Sequence, residues 1–183
     1  MSNLISSVID DRAVVQAFRA LERFSDNPQH LLEEIGQSYE RRVLENFSRE
    51  SDPEGNPWEK LSSTTLMLKL ARGKRLKKKG TLSKKGREYL QGKRLLVESG
   101  ALRRNVHYQT DRNSVRIGVG GSVPYGAIHQ RGGMAGRGKK VKIPARAYLA
   151  MNDGAGMRLA ERDRSMVLQL TYRHLDNVVG GKR

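Results

Sequence analysis

The sequence predicts an α+β fold, with an antiparallel sheet, long N-terminal helices and a C-terminal helix packed on it, and a long basic loop. Apolar residues recur at helical spacing over 10–24, 28–50 and 156–179. They alternate with polar residues on both sides of Asp-Arg-Asn at 111–113, which is typical of two antiparallel strands joined by a tight turn. A central segment is crowded with cations and has no apolar period.

The length and composition favour one domain with appendages. The chain has 183 residues, of which 37% are hydrophobic and 5% aromatic, so part of it should lie outside the core. We predict a single domain over 1–183, with a mobile basic loop insertion at 72–94. A second loop, rich in glycine and basic, is expected at 131–140, and 180–183 is expected to be a frayed tail.

Several classes of protein are excluded by composition. The chain has no cysteine, which rules out a disulfide scaffold, a thiolate metal site and a cysteine nucleophile. The first sixteen residues, MSNLISSVIDDRAVVQ, lack the basic start of a signal peptide, and no apolar run approaches the roughly 20 residues of a membrane span. We therefore expect a soluble protein that folds in the cytosol and contacts no membrane.

The predicted helices begin with an amphipathic segment over 10–24. A stronger helix follows, with Asn27 as its N-cap and Pro28 at its first position. Five residues should form its buried face: Leu31, Ile35, Tyr39, Val43 and Phe47.

Trp58 follows the turn cluster SDPEGNPW and is the only tryptophan in the chain. It is predicted to anchor the core, because indole burial stabilises strongly; stacking on a ligand is the alternative. A short helix with a Ser or Thr cap is expected in the SSTTLMLKLA that follows.

The basic segment, defined as residues 69–94, contains twelve lysines and arginines and one acid, Glu88. It carries most of the formal net charge of +16. Such a run is often a solvated loop, but this density of cations favours contact with nucleic acid or an acidic protein surface. The predicted partner contacts here and in the second basic loop are Arg72, Lys74, Arg75, Lys77, Lys78, Lys79, Lys84, Lys85, Arg87, Arg137, Lys139 and Lys140.

Two strands, within LRRNVHYQT and SVRIGVG, should form a hairpin directly before the motif segment, defined as residues 122–133, SVPYGAIHQRGG. Pro124 should place the motif segment at a sheet edge or outside the sheet. Its predicted structural residues are Tyr125 and Ile128 as buried side chains, His129 held to neighbouring backbone, and Gly132 and Gly133 at the start of a loop. VKIPARAYLAM should add an extended run, and the C-terminal helix should bury Leu159, Met166 and Leu170.

Catalytic and cofactor sites are weakly supported. His129 has no carboxylate near it in sequence, and the other histidines, His30, His107 and His174, lack metal-ligand spacing. The glycines of GVGG at 118–121 lack the spacing of a dinucleotide loop, and most acids read as parts of solvated helix faces. We expect no enzyme, no metal and no cofactor, with catalysis at His129 as the remaining alternative.

The order of four motifs resembles the phage virion morphogenesis or tail completion family, known from P2-like and Mu-like phages. The motifs are RRVLENFSRESDPEGNPWEKLSSTTL, LLVESGALRRNVHY, VPYGAIHQRGG and IPARAYLAM, which together span most of residues 35–175. Gly126 stands where the family usually has alanine, and the 72–94 insertion is long.

This resemblance implies a structural virion protein rather than an enzyme. It implies a tail completion or neck protein at the head-proximal end of the tail, which forms a ring, sixfold or a multiple, and allows stable joining of head and tail. The implied partners are a tail terminator or tube protein and neck or head-closure proteins. The implied location is the virion, with the host cytoplasm during assembly. Phosphate contact with packaged DNA is possible in this scheme, and a sequence-independent nucleic-acid-binding protein is the alternative.

Overall fold

The computed structural model describes residues 16, 19–22, 24, 28–121, 123–154 and 156–180. Its helices are α1 (Gln29–Arg49), α2 (Ser63–Arg72), α3 (Lys84–Gly92), α4 (Ala101–Arg104), α5 (Gly126–Arg131) and α6 (Glu161–Gly180). Its strands are β1 (Val106–Asp111), β2 (Ser114–Val119), β3 (Gly133–Ala135), β4 (Val141–Ile143), β5 (Met151–Asp153) and β6 (Gly156–Arg158). A short 3₁₀ turn, Arg137–Lys139, lies between β3 and β4.

The α+β class is confirmed, and every strand pair is antiparallel. The described strands form three two-stranded sheets, β1–β2, β3–β4 and β5–β6, whereas the sequence predicted one sheet. Each strand of the last two pairs has only three residues, and among the described strands each pairs only with its own partner. The β1–β2 hairpin is therefore the sheet on which α1 packs.

Helix α1 confirms the strongest helix prediction. All five residues of its predicted face are buried. At Gly36 the backbone comes so close to the Tyr108 ring of β1 that an added Cβ would lie 2.3 Å from a ring carbon. Pro28 is the N-cap rather than the first helical residue, and Asn27 lies outside the described residues. Of the helix predicted over 10–24, residues 16, 19–22 and 24 are helical, and the remainder lies outside the described part.

The core lies between α1, the β1–β2 hairpin and the segment before β5. Phe47 packs edge-on against Trp58 with ring centroids 5.6 Å apart, and against Tyr148 at 5.2 Å. The indole N–H of Trp58 donates to the carbonyl oxygen of Ala147 at 2.8 Å. The predicted role of Trp58 as a core anchor is confirmed, because its ring is buried and its polar atom is satisfied.

The predicted hairpin is also present, with Asp111 paired to Ser114 across a two-residue turn. Its first strand begins four residues later than the LRRNVHYQT run suggested. Residues 101–104 form a helical turn instead, in which Leu102 is buried among the core residues.

Two predicted loops contain regular structure. The 72–94 stretch was expected to be a mobile loop without regular structure, yet it contains α3 and an isolated bridge between Leu76 and Leu82. Within 131–140 the chain forms β3 and the 3₁₀ turn, and β3 pairs with β4. Both loop predictions failed for the same reason. These stretches are ordered by turns and helix caps, which leave no periodic pattern of apolar residues in the sequence.

The C-terminal helix prediction is correct for residues 161–179 but not for the start of the run. Residues 156–158 form β6, and Leu159 is exposed rather than buried. Met166 and Leu170 are half-buried, as predicted for the inward face. Among the described residues, no helix combines the length and apolar character that a membrane crossing requires. The final residues 181–183 lie outside the described part.

Candidate functional site

The motif segment forms a one-and-a-half-turn helix, α5, at the edge of the core. Val123 is buried before it, Ser122 lies outside the described residues, and Pro124 is exposed outside any strand, as expected. Tyr125 was predicted to be buried but is 41% exposed. It stands at the N-cap of α5, where its ring lies edge-on to His129 with centroids 5.9 Å apart.

Gln130 is the buried centre of this site, and sequence reasoning missed it. Its amide oxygen accepts hydrogen bonds from the backbone N–H groups of Tyr148 (2.9 Å) and Leu149 (3.0 Å). Its amide nitrogen donates to the carbonyl of Ala150 at 2.6 Å, and its own carbonyl accepts from the Asn152 side chain at 2.8 Å. No apolar period or motif spacing marks a residue of this kind, so only the folded backbone identifies it.

The glycine pair was predicted to start a loop; instead Gly132 ends the helix α5 and Gly133 begins the strand β3. Gly132 has φ of 74°, and a Cβ there would lie 2.9 Å from the backbone nitrogen of Ala145. Gly133, with φ of 145°, begins β3. Glycine is needed at Gly132 both for the left-handed backbone and for the close approach of the 144–146 segment.

His129 is half-buried, and its Nδ1 atom is buried with no hydrogen-bond partner among the described residues. The predicted hydrogen bond from the ring to neighbouring backbone is therefore not made through Nδ1. Its backbone is held: the carbonyl accepts from the Arg146 N–H at 2.7 Å. Burial, together with the charge of nearby Arg146, lowers the pKa of His129 and favours the neutral ring.

Arg146 is buried, with 4% of its surface exposed. Its guanidinium donates to two backbone carbonyls, those of Glu59 at 2.8 Å and Lys60 at 3.4 Å. It forms no ion pair with a carboxylate of the described chain. Burial lowers the pKa of Arg146, with the nearby Glu59 acting in the opposite direction.

A surface cavity of about 300 Å³ opens beside these two residues. Its charged and titratable lining consists of five cations, two acids and one imidazole: Lys60, Lys69, Lys93, Lys142, Arg146, Glu59, Glu98 and His129. Cations outnumber acids, so the cavity favours anions. A carboxylate or phosphate of another molecule is the chemical group that it would attract.

The basic segment is ordered by its backbone around Arg75. The Arg75 carbonyl accepts from the Ser83 N–H (3.0 Å) and hydroxyl (2.7 Å), and Ser83 caps α3. Between them, Lys77 and Thr81 are joined by a backbone bond that closes a tight turn. A Cβ at Gly86 would lie 2.4 Å from the Arg75 carbonyl oxygen, so α3 packs closely on this strand-like stretch.

A network around Tyr89 joins α2, α3 and the residues after them. The Arg75 guanidinium lies 3.8 Å from the centre of the Tyr89 ring. The Tyr89 hydroxyl donates to Glu98 at 3.0 Å, and Glu98 also pairs with Lys69 and, at 3.5 Å, with Lys93. The hydrogen bond from Lys69, with help from Tyr89 and Lys93, lowers the pKa of Glu98 to about 2.

Most predicted partner-contact residues are exposed. Arg75 is the exception, because the chain itself uses it: the guanidinium stacks on Tyr89 and donates to the Lys69 carbonyl at 3.2 Å. The backbone of Lys139 lies in the 3₁₀ turn. Their contact with a partner stays a prediction, and the exposed members are Arg72, Lys74, Lys77, Lys78, Lys79, Lys84, Lys85, Arg87, Arg137 and Lys140.

The histidines are less scattered than their sequence positions suggest. His107 is exposed, with Nδ1 2.9 Å from the Asn105 carbonyl. His30 and His174 lie together, with ring centroids 5.2 Å apart, and both are beside Glu34. Their spacing in the sequence gives no sign of this group, because α1 and α6 bring together residues that are far apart in the chain.

Comparison with known proteins gives one family and one relative. The model of the phage virion morphogenesis family matches residues 9–176. Over 56 residues the chain is 43% identical to the Mu-like prophage FluMu G protein 2 of Haemophilus influenzae; this match spans 31% of the chain and 39% of the relative. No solved structure matches. Because the family model covers nearly the whole chain, this protein belongs to the phage virion morphogenesis family.

Proposed function

We propose that this protein completes the tail at its head-proximal end and allows a DNA-filled head to join stably. It acts as a ring subunit, in a sixfold ring or a multiple, and contacts a terminator or tube protein on one side and neck or head-closure proteins on the other. It performs no catalysis. The tail and neck region of the virion is its proposed location, after assembly in the host cytoplasm.

Besides family membership, one observation supports the proposal: several cations with defined positions form no ion pair within the described residues. Lys77, Lys78 and Lys79 lie on a tight turn, and none forms an ion pair within the described residues. Arg146 is buried without a carboxylate partner there. The exposed ammonium groups are solvated in the free subunit and, like the buried guanidinium of Arg146, would interact favourably with an anionic surface, as in a subunit that meets acidic neighbours.

We favour an acidic protein surface as the partner of the basic segment. A conduit for DNA has to let the duplex slide, and dense phosphate contact would retard it. A carboxylate of the neighbouring protein would fit the cavity beside Arg146, because carboxylates accept the charge-assisted hydrogen bonds of guanidinium and ammonium groups.

The test uses a phage that lacks the gene and is complemented with variants. Without the protein, electron microscopy should show separate heads and tails; joined, normal particles would overturn the proposal. Replacing Lys77, Lys78 and Lys79 together by Gln should lower the yield of joined particles at least tenfold. The control replaces three exposed cations elsewhere, Arg112, Arg116 and Arg164, by Gln and should leave the yield near wild type.

His129→Ala in the same assay tests the absence of catalysis. Its Nδ1 has no carboxylate or hydroxyl partner in the described structure, so a general base would lack the group that orients it. We expect a folded protein that still joins heads and tails. A folded variant that assembles into the particle but blocks joining would favour the enzymatic alternative.

A second function, sequence-independent nucleic-acid binding, is favoured by the ten exposed cations of the two basic stretches. The basic segment offers one aromatic ring, Tyr89, and Arg75 already stacks on it, so phosphates rather than bases would be contacted. Duplex DNA titrated at rising salt measures this. If phosphates are the partner, the Lys77/Lys78/Lys79→Gln variant should lower the log-log salt slope by about 2.7. Absence of binding at physiological salt would exclude it.

A further inference from the structure

We propose that His30, Glu34 and His174 form a binding site for a divalent transition metal, of which Zn²⁺ is the best match, joining the first turns of α1 to the C-terminal half of α6. One ligand atom from each of the three residues can be chosen so that all lie within 4.8 Å of one another. Two imidazoles and a carboxylate are a donor set that Zn²⁺ binds.

The local geometry follows from helix spacing. His30 and Glu34 are four residues apart in α1, so their side chains lie on one face, one turn apart. His174 reaches this face from α6, which packs against α1. The packing of the two helices therefore creates a three-ligand arrangement that neither helix has alone.

The separations are close to those that a metal requires. A tetrahedral ion with bonds of about 2.1 Å holds its ligand atoms about 3.4 Å apart. The Nε2 atom of His174 lies 2.7 Å from Glu34 Oε2. Rotamer adjustments of this pair and of His30, which is exposed, would open the space for the ion. The exposed side leaves a fourth position open to water or to a ligand from another subunit.

Arg173 offers a test that separates metal binding at this site from nonspecific binding to surface histidines. Its guanidinium pairs with Glu34 Oε1, the carboxylate oxygen that His174 does not contact. This contact fixes the orientation of the carboxylate, as residues that bind metal ligands commonly do. The positive charge of the guanidinium, however, repels a bound cation. Removing that charge while keeping a hydrogen-bond donor should therefore strengthen metal binding.

The experiment titrates the full chain, without a histidine tag, with Zn²⁺ by calorimetry, and repeats it with Co²⁺ followed by visible absorption. Wild-type protein should bind one Zn²⁺ per chain and show the spectrum of four-coordinate Co²⁺. His174→Ala and Glu34→Gln should each weaken binding at least tenfold. Arg173→Gln should tighten it severalfold, and Zn²⁺ should raise the thermal midpoint of wild type but not of His174→Ala.

The control is His107→Ala, which removes an exposed histidine outside the cluster and should leave the affinity unchanged. The proposal is overturned if wild type binds no stoichiometric metal. It is also overturned if His107→Ala weakens binding as much as His174→Ala. Circular dichroism of each variant shows that it is folded, and because metal binding is measured on the isolated protein, the outcome is independent of the role proposed in the tail.

Discussion

The central core and the basic segment are stabilised in opposite ways. We define the central core as α1, Trp58, Gln130 and residues 146–152. There, side-chain hydrogen bonds end on buried backbone groups, as with the amide of Gln130 and the indole of Trp58. In the basic segment, all of which the structure describes, only Leu70 and Gly86 are buried, and order rests on caps, one tight turn and the Tyr89 network.

This difference separates the residues that build the subunit from those available to neighbours. The basic segment can present cations in a defined arrangement because its backbone is held by the Arg75 carbonyl rather than by an apolar core. Its local stability should be low, since exposed ion pairs and short helices contribute little. A subunit with such a region can adjust it to a partner without disturbing its fold.

The largest expected effect comes from breaking the central core at Gln130. Gln130→Ala leaves the buried N–H groups of Tyr148 and Leu149 without their acceptor and removes buried volume. We expect a loss of about 3 kcal/mol in the free energy of unfolding, measured by urea denaturation. The control, Gln109→Ala at an exposed strand position, should change it by less than about 0.5 kcal/mol. Equal losses would show that Gln130 does not hold the core.

A second, intermediate effect tests whether the basic segment is ordered. In Gly86→Ala the new Cβ would lie 2.4 Å from the Arg75 carbonyl oxygen, which is backbone and cannot move away independently. We expect the free energy of local opening over residues 75–92 to fall by about 1 to 2 kcal/mol, which should appear as faster amide exchange and faster tryptic cleavage there. The free energy of global unfolding should be unchanged.

The matched control is Gly92→Ala in the same helix, where nothing lies within 4 Å of the added Cβ. Alanine favours helix over glycine, so this variant should be neutral or slightly protected from exchange. If Gly86→Ala behaves in the same way, the contact between α3 and Arg75 is absent in solution and the segment is a loop.

The sequence predicted the central core better than the basic segment, for a physical reason. The residues Leu31 to Phe47 repeat with a helical period because one face must leave water, and that period is visible in the chain. The order of 72–92 depends on single polar contacts between Ser83 and Arg75, which leave no periodic trace. Gln130 and the His30–His174 pair were missed likewise, because their partners lie 18 or more positions away.

We expect only a small change on removing the charge of Glu98, which pairs with two lysines of the basic segment. Glu98 is about half exposed, so solvent screens its pairs with Lys69 and Lys93, and Glu98→Gln should cost at most about 0.5 kcal/mol at neutral pH. Its pKa is lowered from 4.5 to about 2 in the folded protein, so folding favours the carboxylate. The contribution is therefore present above about pH 4.5 and lost as the pH falls toward 2.

The contribution of the Glu98 charge to local stability can be measured by amide exchange over α2 and α3 at pH 7 and pH 3. Wild type and Glu98→Gln should differ at pH 7 and converge as the pH falls, whereas Glu88→Gln, an exposed acid of α3 with no ion pair in the described residues, should match wild type at both. Because the folded pKa is about 2, part of the gap should remain at pH 3; a gap as large at pH 3 as at pH 7 would mean that the charge of Glu98 does not contribute. The ion pairs would then be incidental to the order of the basic segment, and its backbone contacts alone would account for it.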